Sequence, residues 1–191
     1  MEPPKSVDMF DPLTLGPTAK CLFIGMSNMG KSYLINHLLC LQPCHDTIVL
    51  DDCLFTIDQT QSPTFEQLLS QKTERVFVTV QYGMGLALKL REKLNYIFIF
   101  RETIHTNLRK LYKLYCNHRL FPTQDSFVAA LRSVTDGLDC RGFMQINEGA
   151  CLVFDNVHGR CYRYRAPDKT RHLIQDDVTK SETPQSEAEE V

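Results

Sequence analysis

The chain carries no excess of basic charge. Over 191 residues its formal net charge is −2, which excludes the histone-like and tail-type nucleic-acid binders that act through bulk charge. No run approaches the ~18 apolar residues that a membrane-spanning helix needs, so no span is expected. The opening MEPPKSVDMF has no basic stretch followed by an apolar one. No signal peptide is expected, and the protein reads as intracellular rather than secreted. There is no internal repeat and no C-x-x-C pair. Cysteine itself is plentiful, with eight at positions 21, 40, 44, 53, 116, 140, 151 and 161. Without a secretion signal these read as reduced, buried small hydrophobes. Cys40, Cys44, His45 and Cys53 form the one conceivable zinc group, and their spacing fits no familiar zinc pattern. His37, His45, His105, His118, His158 and His172 form no usable pattern.

The length suits one domain with a core of its own. Residues 1–18 carry four prolines and read as an arm, loose or laid on the surface. Residues 19–167 read as the domain. Residues 168–191, rich in Ser, Glu, Thr, Pro and Gln, cannot bury enough apolar surface and read as a disordered acidic tail. Within the domain, KCLFI over 20–24 reads as a buried strand and 32–41 as a helix. TIVL from Thr47 reads as a second buried strand running into Asp51 and Asp52. Ser62 and Pro63 start a helix as cap and first helical residue, which runs to about Lys72. RVFVTVQ over 75–81 is a third strand. Tyr82, Gly83, Met84 and Gly85 form a turn into a basic helix over roughly 86–94, and NYIFIF over 95–100 is a fourth strand. Residues 107–116 have helical apolar spacing, and Thr123 or Asp125 caps a helix through Val134. ACLVFD and CYRYR form a hairpin about a turn at 156–159. Strands alternating with helices predict an α/β fold: a mostly parallel sheet, helices on both faces, and an antiparallel hairpin at its C-terminal end.

The stretch from Gly25 to Ser32, GMSNMGKS, fits G-x-x-x-x-G-K-[ST] between a strand and a helix. In such a loop Gly25 and Gly30 let the backbone adopt unusual dihedrals and approach an anion closely. The N–H groups of Gly25, Met26, Ser27, Asn28, Met29, Gly30, Lys31, Ser32 and Tyr33 then surround phosphate oxygens. Lys31 supplies a charge for the β- and γ-phosphates, and Ser32 a hydroxyl for Mg²⁺.

Hydrolysis needs carboxylates opposite that cradle and a group to orient water. Asp51 and Asp52 close an apolar strand at the sheet edge where α/β folds gather ligands. Asp51 is the expected Mg²⁺ residue and Asp52 the expected general base. Gln81, at the end of VFVTV, can position water or donate to the γ-phosphate. Arg75, Arg91 and Arg101 are candidates for a guanidinium that stabilises transferring phosphate, one often supplied by a neighbouring subunit. Lys89, Arg91 and Lys93 could make a DNA-facing helix, and more commonly such a face is merely solvated. The alternation Arg160, Tyr162, Arg163, Tyr164, Arg165 reads as a half-exposed edge strand of period two.

The order of these motifs resembles the viral genome-packaging ATPases of the FtsK/HerA superfamily, and within it the poxvirus-type and Polinton-like group. The resemblance runs over roughly 18–167 and rests on the P-loop, the strand ending in Asp51 and Asp52, VTVQY, LREKLNY, IFIFRE and CLVFD with CYRYRAP. It implies a P-loop NTPase of the additional-strand type, with the Gln81 strand inserted between the P-loop strand and the Asp51–Asp52 strand. It implies ATP and Mg²⁺ as cofactors, and a homo-oligomeric ring that threads double-stranded DNA through a capsid portal or vertex protein. It places the protein in the infected host cell, nucleus or cytoplasm, or in the virion. It makes Gln81 the polar sensor and sets Arg75 where the family has an arginine upstream of that strand. Two departures stand out. Only nineteen residues separate Lys31 from Asp51, where the family usually has another strand and helix. The second acidic residue is Asp where many relatives have Glu.

Other readings are a GTPase-like switch, a small-molecule kinase and a non-catalytic P-loop scaffold. The first needs an N-K-x-D or T-K-x-D element after the fourth strand, and none is there. The second needs an arginine-rich lid, and none is distinct. The third conflicts with the joint presence of Lys31, Ser32, Asp51, Asp52 and Gln81.

Overall fold

Three apolar runs, over 20–24, 75–80 and 96–100, have almost no polar alternation, and strands of that kind need cover on both faces. A computed structural model, describing residues 7–43, 46–52, 63–81, 86–138, 144–146 and 149–167, provides it. In chain order the elements are β1 Asp8–Met9, a 3-10 turn Pro12–Thr14, β2 Lys20–Ile24, α1 Lys31–Leu41, β3 Thr47–Leu50, α2 Pro63–Ser70, β4 Arg75–Val80, α3 Leu88–Arg91, β5 Tyr96–Phe100, α4 His105–Tyr115, α5 Gln124–Thr135, β6 Asp136–Leu138, β7 Met144–Ile146, β8 Ala150–Asp155 and β9 Arg160–Arg165. The seven-stranded sheet has the order β1-β9-β8-β5-β2-β4-β3, and β6 and β7 form a separate ribbon. β3, β4, β2 and β5 are mutually parallel. β8 runs antiparallel to β5 and β9, and β1 adds parallel to β9. β4 thus lies between β2 and β3, as the additional-strand fold requires.

Side chains divide cleanly between the two faces of the sheet. One face carries Phe23, Phe77, Phe98, Val153 and Tyr164 under Leu34, Ile35 and Leu38 of α1. The other carries Leu22, Val76, Val78, Ile97, Ile99 and Leu152 under Phe65 and Leu69 of α2, Leu90 of α3, Leu108 and Leu111 of α4, and Phe127 and Leu131 of α5. Helix ends follow local chemistry. Thr123, not Asp125, caps α5, accepting from the Ser126 N–H at 3.2 Å. Glu102, buried just past β5, accepts from the N–H groups of Thr103 and Ile104 at 2.8 Å and orients the first turn of α4.

Several elements differ from the sequence reading. β3 is half-exposed, with Val49 at 38 %. Among the described residues it pairs only with β4, and apolar composition does not say how many neighbours a strand has. The basic helix shrinks to the single turn of α3. Its lysines stay at the surface but are paired there: Lys89, with its side chain 60 % exposed, and Lys93 both meet Glu66 of α2, and Lys93 donates to Ser70 Oγ at 2.6 Å. β1 and the β6–β7 ribbon have no sequence signal. Cys21, Cys116 and Cys151 are buried and Cys161 is half-buried, all as free thiols, whereas Cys40 is exposed. Burial pushes the Cys116 and Cys161 thiols up to about 12, so they are inert. Cys44, His45, Cys53 and Cys140, the Ser62 cap, the turn at 82–85, His172 and the tail 168–191 lie outside the described residues.

From Val7 onward the arm lies against the domain, and two of its residues, Phe10 and Leu15, enter the core. Phe10 is 4 % exposed, and its ring meets those of Tyr96 at 5.6 Å, Phe98 at 5.7 Å and Tyr164 at 5.8 Å, all edge-on. Phe10→Ala is therefore expected to destabilise the protein by about 3–5 kcal/mol in chemical denaturation. A second core contact is titratable. His37 of α1 is buried with Nε2 2.9 Å from the Tyr164 hydroxyl of β9, and burial pushes its pKa below the ordinary value. At pH between the folded and unfolded values the unfolded chain binds more protons, so stability rises with pH there. Taking the protein from pH 7.5 to below 6.5 should lower its Tm progressively, and His37→Gln should flatten that dependence.

Candidate active site

The register of three strands assembles the site. Ile24 of β2 lies opposite Val80 of β4, so the P-loop and Gln81 leave the sheet at the same level, and the Gly25 N–H donates to the Val80 carbonyl at 3.1 Å. Leu50 of β3 lies opposite Val78, which brings Asp51 level with Thr79. Thr79 and Gln81 alternate with Val78 and Val80 and so share the α1 face of β4.

The two P-loop glycines are needed for different reasons. Gly30 has φ of +88°, a conformation that glycine adopts without steric cost. Gly25 does not; a Cβ there would lie 2.7 Å from Phe100 Cβ, so β5 leaves no room for a side chain. Between them Asn28 takes φ of +63°, which asparagine tolerates better than most residues. Ser27, Asn28, Gly30, Lys31, Ser32, Tyr33 and Asp52 line a cleft of about 450 Å³. Met26 and Met29 are tied in through their backbone: the Met26 carbonyl accepts from Lys31 Nζ, and the Met29 carbonyl from the Gly149 N–H.

Lys31 is 5 % exposed and donates to the Gly25 carbonyl at 2.7 Å and the Met26 carbonyl at 3.0 Å. Burial lowers its pKa, and the carboxylates of Asp52 and Asp51 oppose that shift. Across the cleft a hydrogen-bonded chain runs through both acids. Ser32 Oγ donates to Asp51 Oδ2 at 2.8 Å. Thr79 Oγ1 donates to Asp51 Oδ1 at 2.7 Å and accepts from the Asp52 N–H at 2.6 Å. Gln81 Nε2 donates to Asp52 Oδ2 at 3.0 Å. Asp52 itself sits at φ of +47°, a conformation that costs a non-glycine residue of order 1–3 kcal/mol and persists only where neighbours enforce it.

The structure thus brings together Lys31, Ser32, Asp51, Asp52 and Gln81, and adds Thr79, which the sequence reading missed. Threonine is an ordinary strand former, so Thr79 within VFVTV carries no mark of its own. The signal available was its position two residues before Gln81, hence on the same face.

None of the three candidate arginines lines this cleft. Arg75 is 3 % exposed at the opposite end of β4. It donates to the Gly16 carbonyl at 3.3 Å, the Gln42 carbonyl at 3.1 Å and Gln42 Oε1 at 3.0 Å, and lies 5.9 Å over the Phe77 ring. Arg91 donates to the Leu86 carbonyl at 3.0 Å and to that of Leu114, tying α3 to α4. Both donate to backbone carbonyls of other segments, and neither lines the cleft. Arg101 leaves β5 at the P-loop edge of the sheet and pairs with Asp136 at 2.6 Å.

No family model matches the chain. It is 32 % identical over 133 residues to the uncharacterized protein L437 of Acanthamoeba polyphaga mimivirus, a match covering 64 % of this chain and 42 % of that protein. The chain therefore spans less than half of that relative's length. Among solved structures it is similar to the genome packaging NTPase B204 of Sulfolobus turreted icosahedral virus 2. With AMPPCP bound to B204 the TM-score is 0.59 at 11 % identity, covering 80 % of this chain and 100 % of that one. With ATP-gammaS bound the TM-score is 0.56 at 12 % identity, covering 80 % and 99 %. At such identities the likeness shows the fold: this chain has the NTPase fold of B204.

The Thr79 hydroxyl fixes both carboxylates without reaching the cleft, so it acts by positioning. If the cleft hydrolyses nucleotide, as proposed below, Thr79→Val should lower that rate by about 100-fold, the size of effect expected when a reacting group moves by about 1 Å. Nucleotide Kd should stay within about threefold, and Thr79→Ser should restore most of the rate.

Proposed function

We propose that this chain is an ATP-hydrolysing motor of the FtsK/HerA type that translocates double-stranded DNA and packages a viral genome into a capsid. The observation that carries the hydrolytic part is the chain Ser32–Asp51–Thr79–Asp52–Gln81 at the mouth of the P-loop cleft. A scaffold that only held nucleotide would need the cradle but not this arrangement opposite it. Packaging rests on the fold likeness to viral genome packaging NTPases solved with nucleotides and on the likeness to a mimivirus protein.

In this reading the backbone N–H groups over 25–33 and the Lys31 charge bind the triphosphate. The site also fits Mg²⁺. Ser32 Oγ and Asp51 Oδ2 are hard oxygen donors 2.8 Å apart at the exposed mouth of the cleft, where the ion can keep most of its waters. Bound there, Mg²⁺ would neutralise charge on the phosphate oxygens. Asp52 is the general base. Gln81 and Thr79 hold its carboxylate and backbone in place, so that it meets water at a fixed position rather than searching for it. As aspartate it needs the water closer than glutamate would.

We assign residues 19–167 as the ATPase domain, with 1–18 as an arm whose residues 7–18 lie against it and 168–191 as a tail. Among the described residues no arginine lines the cleft, which supports a guanidinium from the next subunit of a ring. Arg75 and Arg91, tied to backbone carbonyls, are not suited to that task. Near-neutral net charge is compatible with a ring, which needs basic groups only along its pore. The capsid portal or vertex protein is the partner this role requires.

The test is ATPase activity with and without double-stranded DNA. Wild type should hydrolyse ATP faster with DNA. Asp52→Asn should lose 100-fold or more in rate, on the order of what loss of a general base costs, and keep nucleotide binding. Lys31→Ala should lose the binding itself. A wild type silent in both conditions overturns the motor reading. Loss of binding in both variants overturns the division between binding and hydrolysis.

A further inference from the structure

The sheet topology delivers a second structural feature to the cleft. β8 runs antiparallel to β5, so it starts at the edge where β2 ends, and β9 returns parallel, so it ends there too. The residues flanking this hairpin, Gly149 before β8 and Pro167 after β9, therefore both arrive beside the P-loop. The contacts are specific. The Gly149 N–H donates to the Met29 carbonyl at 3.1 Å. The Tyr33 hydroxyl donates to the Pro167 carbonyl at 2.7 Å. A Cβ on Gly149 would lie 3.7 Å from Tyr33 Cδ1, so hairpin backbone runs against the edge of the ring. One helical turn on, His37 meets Tyr164.

Tyr33 is the first residue past the phosphate-binding run and lines the same cleft as Lys31 and Ser32. It is the only aromatic residue among the described residues that line it. Its hydroxyl is anchored and its ring is half-exposed, so the ring is held in one orientation at low entropic cost. A fixed aromatic face beside a triphosphate cradle has the chemistry to stack a heterocyclic base. A triphosphate seated on the P-loop must direct its nucleoside out of the cradle, and this is a wall built to receive it.

We propose that the base of the bound nucleotide stacks on Tyr33 at the open end of the β8–β9 hairpin. This rests on the triphosphate reading of the P-loop. The hairpin is then part of the binding site, and its clasp on Tyr33 and Met29 makes the seating of the base and the position of the hairpin depend on each other.

The experiment is equilibrium binding, with Mg²⁺ present, of ATP, ribose 5-triphosphate and inorganic tripolyphosphate to the full chain. Wild type should bind ATP at least roughly 5-fold more tightly than ribose 5-triphosphate, the lower limit of a base stacked on an aromatic ring. Tyr33→Leu keeps apolar volume and removes the stacking face. It should weaken ATP by roughly 5- to 150-fold while tripolyphosphate stays within about threefold. Tyr33→Phe keeps the ring and should keep most of the ATP affinity. Equal binding of ATP and ribose 5-triphosphate by wild type overturns the proposal, and that arm needs no variant. So does a Tyr33→Leu protein that loses ATP and tripolyphosphate in step, or neither. In those cases tripolyphosphate still binds wild type and the phosphate site stands. A wild type that binds none of the three overturns the nucleotide site, and this proposal with it.

Discussion

The pairing of β4 with β2 on one side and β3 on the other is the constraint on which the rest depends. Parallel hydrogen bonding sets Ile24 beside Val80 and Leu50 beside Val78. A slip of one residue would turn Thr79 and Gln81 to the opposite face, because side chains alternate along a strand. Both faces of this sheet are packed, so such a slip would also bury polar groups among Leu and Val, which fixes the register firmly. The active site inherits its precision from that core. Asp52, in a costly backbone conformation, is held because its N–H and carboxylate are bonded to side chains on a strand that cannot move.

Charge is managed in the same way. Lys31 sits almost out of water, with its ammonium on two P-loop carbonyls, and burial weakens its hold on its proton while the facing acids strengthen it. A cation kept dry by its own loop carbonyls and facing two carboxylates is poised for an anion that brings more negative charge than those carbonyls offer. Elsewhere basic groups are spent on structure. Arg75 gathers carbonyl oxygens from chain segments far apart in sequence, and Lys89 and Lys93 tie α3 to Glu66. Motif spacing cannot tell an arginine that bridges loops from one that awaits a phosphate.

The hairpin gives the fold a second organising principle. A purely parallel sheet would send the start of every strand to the far edge. One reversed strand, β8, lets both open ends of the hairpin reach the phosphate edge, and β1 then closes the exposed side of β9 while Phe10 fills the aromatic core. The arm and the hairpin, at opposite ends of the sequence, thereby cover the same side of the sheet.

Local pattern alone carried part of this architecture. The glycines and Lys31 of the P-loop, the paired acids ending a strand, the hairpin from Ala150 to Arg165 and a helix cap at Thr123 or Asp125 were legible, while the insertion of the Gln81 strand was implied only by the family resemblance. Backbone conformation, capping and periodicity are short-range, and each leaves a mark within a few residues. Relations between distant segments left no such mark: β3 as a half-exposed strand, Thr79 as the hub of the carboxylates rather than another core residue, Arg75 and Arg91 as ties between separate segments, and Gly149 and Pro167 beside Tyr33. Each depends on which strand lies next to which, and side chains of the same type take different roles according to the neighbours the sheet brings them.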